Sequence, residues 1–201
     1  MENSIHGQVA NKISNGKRGD IVFPVDFKEI APSEAIRQAL SRLAKEGMLV
    51  RLAHGIYLFP ETDPVLGILY PSTDDIAQAI AQRDKVRIVP SGLNALNKLG
   101  LSTQVPMKVV YLTDGSPKTI KAGNRTIFFK TASPKKFALK GQISGMVIRA
   151  LEELGKDAMS PEIRIRIGDI LKKEDKKTIR EDAMLASEWM AQLLFSIIEG
   201  N

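Results

Sequence analysis

Cysteine is absent from this 201-residue chain, histidine occurs twice and tryptophan once. Without thiols there is no disulfide framework, no thiolate nucleophile and no thiolate metal site, and a reducing cytoplasm fits. His6 and His54 alone leave little material for zinc, so neither a metal nor a cofactor is expected. Long apolar runs are missing too. No stretch approaches the ~20 apolar residues of a membrane helix, and Met1 to Lys12 lacks the basic start and apolar run of a signal peptide. These absences predict a soluble, cytoplasmic protein without membrane contact. The chain also contains no GxxxxGKS or GxxxxGKT, HExxH, GxSxG or CxxC, and Asn15-Gly16-Lys17 lacks the upstream glycine of a phosphate-cradling loop. No catalytic residue is expected, and the protein is not read as an enzyme.

What is present is ordinary for globular protein, 43% hydrophobic and 26% charged, so a core can form in one or two domains. The net charge of +6 is unevenly placed. Residues 1–62 hold 8 Lys/Arg against 7 Asp/Glu, 63–140 hold 12 against 5, and 141–201 hold 9 against 11. The basic middle favours an anionic partner, because long-range attraction and counterion release both act on polyanions.

Two prolines flank polar residues at Pro60-Glu61-Thr62-Asp63-Pro64, which places a domain border after residue 62. Ahead of it, Ile5, Val9 and Ile13 recur at helical spacing, and Ser14-Asn15-Gly16 closes that helix. Asp26-Phe27-Lys28-Glu29 resembles a capping box opening a short second helix. A third helix starts at Ser33, runs through Ile36, Leu40 and Leu43, and stops at Gly47. Leu49 to Leu52 and Ile56 to Phe59 then form a hairpin across Ala53-His54-Gly55.

Beyond residue 63, Ser72 to Asp75 can cap a helix carrying Ile76, Ala77 and Ile80, and Arg87 to Val89 is a strand candidate. A helix from Ser91 turns Leu93, Leu96 and Leu99 inward and ends at Gly100. Met107 to Thr113 and Arg125 to Lys130 read as strands, with Thr119-Ile120-Lys121 between them and turns at Asp114-Gly115 and Gly123-Asn124. The remainder is helical, with stripes at Ile143, Val147, Ala150, Leu154 and at Met190, Leu194, Ile197, Ile198. The fold class is α+β: an N-terminal winged helix-turn-helix over 1–62, followed by a mixed domain over 63–201 with a small β-sheet and several helices.

Three helices and a hairpin within about 60 residues is the winged helix-turn-helix order, in which the last helix enters the major groove and the hairpin touches flanking backbone. The third helix carries suitable chemistry. Arg37 and Arg42 offer planar forks for guanine or phosphate, Gln38 can read adenine, and Ser33 and Ser41 can hold phosphates. Glu34 can accept from cytosine or sit at the positive helix end, and Lys45 extends the cationic face. Arg51, His54 and Tyr57 are the hairpin's candidates for phosphate or minor-groove contact. The plain alternative is a solvated helix face, since surface helices commonly carry arginine and lysine.

Gly19-Asp20-Ile21-Val22-Phe23, Asp26-Phe27, Ala35 to Leu43, Glu46-Gly47 and Arg51 to Tyr57 resemble the N-terminal domain of AbiEi-type antitoxins, the regulators of type IV toxin-antitoxin systems linked to abortive phage infection. Ser91 to Leu96 and Leu99-Gly100-Leu101, followed by the strands to Phe129, extend the likeness over residues 17 to 131. The resemblance implies a repressor that binds inverted repeats in its own operator on double-stranded DNA and neutralises a cognate nucleotidyltransferase toxin. It places DNA contact on Ser33, Arg37, Gln38, Ser41 and Arg42, and implies a second basic face for which Lys118, Lys121, Arg125, Lys130, Lys135 and Lys136 are candidates. Lysines on edge strands also block aggregation, so both readings of that face stay open.

Two other functions compete with this one. A nuclease-like pair, Asp114 and Lys130, lacks the second carboxylate that a divalent cation needs, because position 128 is Phe. A protein-interaction module would use the winged helix without DNA. Trp189, Leu193, Leu194, Ile197 and Ile198 are either its docking stripe or the last piece of a core.

Overall fold

The structure is a computed structural model that describes residues 4–102, 108–123 and 125–200. It is α+β, and its contacts divide it into two units. The first comprises residues 1–85 with 120–126, the second 86–119 with 127–201. The expected border after residue 62 falls inside the first unit, where Glu61–Asp63 and Gly67–Leu69 pair as two antiparallel strands instead of forming a linker. The strand start expected at Met107 and the turn residue Asn124 lie outside the described residues. No helix among the described residues is long and apolar enough to cross a membrane.

The first unit opens with α1 (Ile5–Ser14), capped by Ser4, whose hydroxyl accepts from the Gly7 N–H. After β1 (Ile21–Val22), a 3₁₀ turn covers Pro24–Phe27. Asp26 is not the first cap of a helix, as its spacing to Glu29 suggests. It is the third residue of the turn, and its carboxylate reaches back to the Phe23 N–H at 2.7 Å. Then come α2 (Ser33–Lys45), β2 (Val50–Ala53) and β3 (Ile56–Leu58), with the strands in the antiparallel order β1-β3-β2. Apolar residues at helical spacing put Ile36, Ala39, Leu40 and Leu43 on one side of α2, where they pack with Val9, Ile13, Phe27, Leu49 and Phe59. Burying a side chain of the size of Leu40 contributes about 1.5–3 kcal/mol, so this stripe fixes which face of α2 remains outside. Gly47 ends the helix. At φ +83° it lets Met48 N–H return to the Leu43 carbonyl at 3.0 Å, a geometry a side chain would strain. The unit continues with β4 (Glu61–Asp63), β5 (Gly67–Leu69) and α3 (Thr73–Asp84), where Ser72 and Asp75 cap each other's backbone.

In the second unit β6 (Ile88–Pro90) pairs antiparallel with β7 (Lys108–Thr113), in register Val89 to Leu112. Between them lies α4 (Gly92–Lys98). Its inward residues are Ala95 and Leu96; Leu93, expected inward, is 58% exposed in the first turn of this short helix. With β8 (Lys118–Ala122) and β9 (Arg125–Thr131) the sheet order is β6-β7-β9-β8, and Tyr111 stacks on Phe129 with centroids 6.1 Å apart. Helices α5 (Gln142–Leu154), α6 (Pro161–Leu171), α7 (Lys176–Ala183) and α8 (Glu188–Glu199) follow. Val147, Leu151, Ile167, Ile179, Met190 and Leu194 are buried together as their core. Trp189, Leu193 and Ile197 pack against that core, so the α8 stripe is core and not a free docking face.

Candidate nucleic-acid interface

Because the apolar stripe of α2 is committed to the core, its remaining residues emerge on one continuous side. Ser33, Glu34, Arg37, Gln38, Arg42 and Lys45 are exposed there and Ser41 is half-buried. This side is one wall of a groove of about 1270 Å³. The other walls come from the 3₁₀ turn and the loop after it, from Arg51, His54 and Gly55 at the β2–β3 turn, and from Arg83 at the end of α3. Gly55, at φ +67°, closes that turn in two residues and keeps His54 and Arg51 beside the helix.

Six cations line the groove, Lys28, Arg37, Arg42, Lys45, Arg51 and Arg83, against two carboxylates, Glu29 and Glu34. The first unit as a whole holds 12 Lys/Arg and 11 Asp/Glu, so its other surfaces hold 6 against 9. Charge is therefore segregated: the groove is net positive by four while the rest of the unit is net negative by three. Such a concentration of one sign on a concave surface focuses the field outward and attracts polyanions.

Three of these cations, Lys28, Arg42 and Lys45, make no hydrogen bond or ion pair among the described residues. Gln38 likewise makes none, and Arg37 meets Glu34 only at 3.5 Å across one exposed turn. An exposed pair of that kind is worth a few tenths of a kcal/mol, so a phosphate can displace it. Glu29 is held below the usual carboxylate range by its own backbone N–H and by Lys12 at 3.5 Å. Arg51 places a guanidinium nitrogen 3.1 Å from His54 Nδ1. Arginine can only donate, so Nδ1 accepts and the neutral ring carries its proton on Nε2, leaving a donor for an anion. Arg83 lies over the Phe23 ring at 4.7 Å and pairs with Asp84 at 2.7 Å. Its burial pulls it below the ordinary arginine range, with Asp26 opposing that shift.

The sequence-predicted residues of α2 and the β2–β3 turn thus come together, with one correction. Tyr57 is only 4% exposed and packs in the first unit's core, since all three residues of the central strand β3 are buried. It forms part of the groove floor and is not a reaching contact. Lys28 and Arg83 were not anticipated. Lys28 lies just after the turn that delivers Asp26, and Arg83 arrives from a helix 38 residues beyond Lys45, with no local signal to tie it to this surface.

The six residues expected to form a second basic face do not share one surface. Side chains alternate along a strand, so Arg125 has the parity of the buried Ile127 and Phe129, whereas exposed Lys130 has the parity of Phe128. Lys118 lies over the Phe129 ring at 5.2 Å, and Lys121, of opposite parity on β8, falls on the other side of that strand. Lys135 and Lys136 leave the sheet for a 3₁₀ turn, and Lys136 is paired with Glu152 at 2.7 Å. Asp114, the acid of the nuclease-like pair, is committed to Arg87 Nε at 2.7 Å and to the Arg87 N–H, which hold it below the usual carboxylate range. Among the described residues no three His, Asp or Glu side chains converge as metal ligands would.

No curated protein matches the chain. A family match covers residues 8–179, and on it the chain belongs to DUF6088, a family of unknown function.

Proposed function

We propose that the first unit is a winged helix-turn-helix and that the protein acts in the cytoplasm as a sequence-specific, double-stranded-DNA-binding repressor, by binding and not by catalysis. On this reading α1, the 3₁₀ turn and α2 are the three helical elements, α2 is the recognition helix, and β2–β3 is the wing. The observation that carries it is the segregation of charge: six cations, three of them without a hydrogen bond or ion pair among the described residues, face one groove in a unit that is otherwise acidic. The direction of the arginines supports base contact as well as phosphate contact, since two planar forks and a glutamine project from one helix face at positions 37, 38 and 42. We further propose, on the resemblance to AbiEi-type antitoxins, that the operator is an inverted repeat upstream of the protein's own gene and that the target of neutralisation is a nucleotidyltransferase toxin.

The test is binding of the full chain to its own upstream DNA against a scrambled duplex of equal length, at about 50 and 200 mM salt. Preferential binding to the upstream duplex that falls about 10³-fold or more between those salts is the expected result. Equal affinity for both duplexes, or no binding at the lower salt, rules the reading out.

A second reading, docking to a protein partner, is favoured by a different surface of the first unit. Val65 and Leu66 at the β4–β5 turn are 90% and 77% exposed, and Ile68, Leu69 and Tyr70 beside them are also exposed. Five large apolar residues exposed within six positions are a feature found at interaction sites.

A further inference from the structure

The second unit has an open pocket of about 580 Å³ lined by the 3₁₀ turn Pro134–Phe137, by α5 and by the segment entering α8. That volume is within the range that takes a small organic molecule. Arg149 of α5 lines it, although the residue is only 6% exposed. Gly145, one turn earlier, makes the space for the folded-back guanidinium: a Cβ there would lie 3.1 Å from Arg149 Nη1.

The guanidinium is poorly satisfied by the protein. Of its five N–H donors, one reaches an acceptor among the described residues, from Nη2 to the Lys136 carbonyl at 3.2 Å. Its Nε is sealed from solvent with no partner. Unpaired donors on a buried charge are rare in folded proteins and demand a cause. The nearby carboxylates are occupied elsewhere. Glu152 holds Lys136, and Asp182 accepts from the Lys140 and Gly141 N–H groups and the Ser144 hydroxyl. Lys135 and Lys156 line the same pocket and have no anionic partner among the described residues. Glu152 and Lys136, paired with each other, and Ser187 also line it; the remaining lining is apolar, with the half-buried Trp189 and the exposed Leu185 at its edge.

We propose that this pocket binds a small organic oxyanion, a carboxylate or phosphate carried on an apolar or aromatic body. The oxyanion meets the terminal nitrogens of the Arg149 guanidinium between Lys135 and Lys156, and the body lies against Trp189 and Leu185. Carboxylate and phosphate share the paired oxygens that an arginine fork recognises.

Trp189 is the only tryptophan, so its fluorescence reports this pocket and not the groove of the first unit. The probes are octanoate, adenosine monophosphate and inorganic phosphate, titrated into the full chain at constant ionic strength. The expected result is a saturable change in Trp189 fluorescence with octanoate or the nucleotide, about ten-fold tighter than with phosphate alone; the tighter of the two identifies carboxylate or phosphate as the head. Arg149→Met weakens that binding about ten-fold or more, since a charge-assisted bond is lost, while Arg42→Ala leaves it unchanged. If circular dichroism shows that Arg149→Met does not fold, Lys135→Ala with Lys156→Ala, both at exposed positions, gives the same loss. No saturable change with either organic probe up to roughly 10 mM overturns the proposal, as does an unchanged dissociation constant in the folded variants.

Discussion

The groove of the first unit and the start of α5 in the second are both built from charged side chains near a helix N-terminus, yet they use charge in opposite ways. At α5 the charge is turned inward. Gly141 offers no side-chain cap, and the gap is filled from α7 by Asp182, which accepts from Lys140 N–H, Gly141 N–H and Ser144 Oγ at 2.8, 2.9 and 2.7 Å. Glu174 completes it by accepting from the Ile143 and Ser144 N–H groups at 3.0 and 2.6 Å. At α2 the N-terminus has no side-chain cap, and the cations along its outer face are held in place by the buried stripe beneath them while donating to almost nothing. Charge that the fold consumes stabilises it; charge that the fold positions and leaves open serves something outside.

That contrast predicts variants that separate binding from stability. The largest effect is expected for Arg37→Ala combined with Arg42→Ala, which removes two forks from the groove and nothing from the core. If both make bidentate base contacts, each contributes about 1–3 kcal/mol, so operator affinity falls by at least ten-fold and the preference over scrambled DNA shrinks with it. Fluorescence anisotropy on the upstream duplex measures it. The melting temperature stays where it was, because neither side chain is buried. Operator affinity that survives the double change removes α2 as the reading element.

Asp182→Ala is the converse. It leaves two backbone N–H groups and a hydroxyl without an acceptor, the Gly141 N–H and the Ser144 hydroxyl both buried, and we expect a loss of about 3 kcal/mol in urea unfolding followed through Trp189. A loss below about 1 kcal/mol shows that the inward charges are not what holds α5. The same site is crowded: a Cβ at Gly141 meets Ser144 Oγ and would lie 2.6 Å from Glu174 Oε2 and 2.9 Å from Asp182 Oδ2, so Gly141→Ala has the same direction.

Next in size is a pH effect at Glu174. Burial pushes its carboxyl up, but hydrogen bonds from Ser144, Ile143 and Gln142 outweigh that and hold it below the ordinary value of 4.5. The unfolded chain therefore takes up the proton first, so this stabilisation is present above pH 4.5 and is lost as pH falls from there through the lowered value. Denaturation midpoints measured from pH 6 to pH 3 should fall more steeply in the wild-type chain than in Glu174→Gln. Parallel curves exclude Glu174 as the source.

What was legible in the sequence follows from range. The helices of the first unit, the Gly47 stop and the exposed face of α2 depend on spacings within one helix, and periodicity reads those directly. Tyr57 was misplaced because alternation holds for a strand with one wet face, and β3 is the central strand of its sheet with three buried residues in a row. Arg83 and the Asp182 cap were invisible for another reason. Each acts on residues about 40 positions or more away in the chain, Arg83 on the α2 groove and Asp182 on Gly141, and a carboxylate in α7 looks like any solvated helix acid until its partners are known.

The smallest expected effect tests the basic middle of the chain, where composition promised more than geometry supplies. Lys121 and Lys130 are exposed, and neither has a partner among the described residues, so by charge alone they resemble the cations of α2. They differ in what surrounds them. The three α2 cations share one groove with three others, whereas Lys130 stands on a strand face beside Phe128 and Thr126, and neither lysine lines the groove. A lone exposed lysine contributes mainly through nonspecific attraction, screened over about 10 Å at 0.1 M salt. Lys121→Ala with Lys130→Ala should therefore change stability by no more than about 0.5 kcal/mol and lower operator and scrambled-DNA affinity equally, by a few-fold at most. Lys45→Ala provides the scale: as a groove cation facing phosphate it should reduce the slope of log affinity against log salt by about one. A double lysine variant that reduces the slope by about two makes the sheet a second DNA contact, and the division between open and idle charge would then have to be drawn by exposure alone.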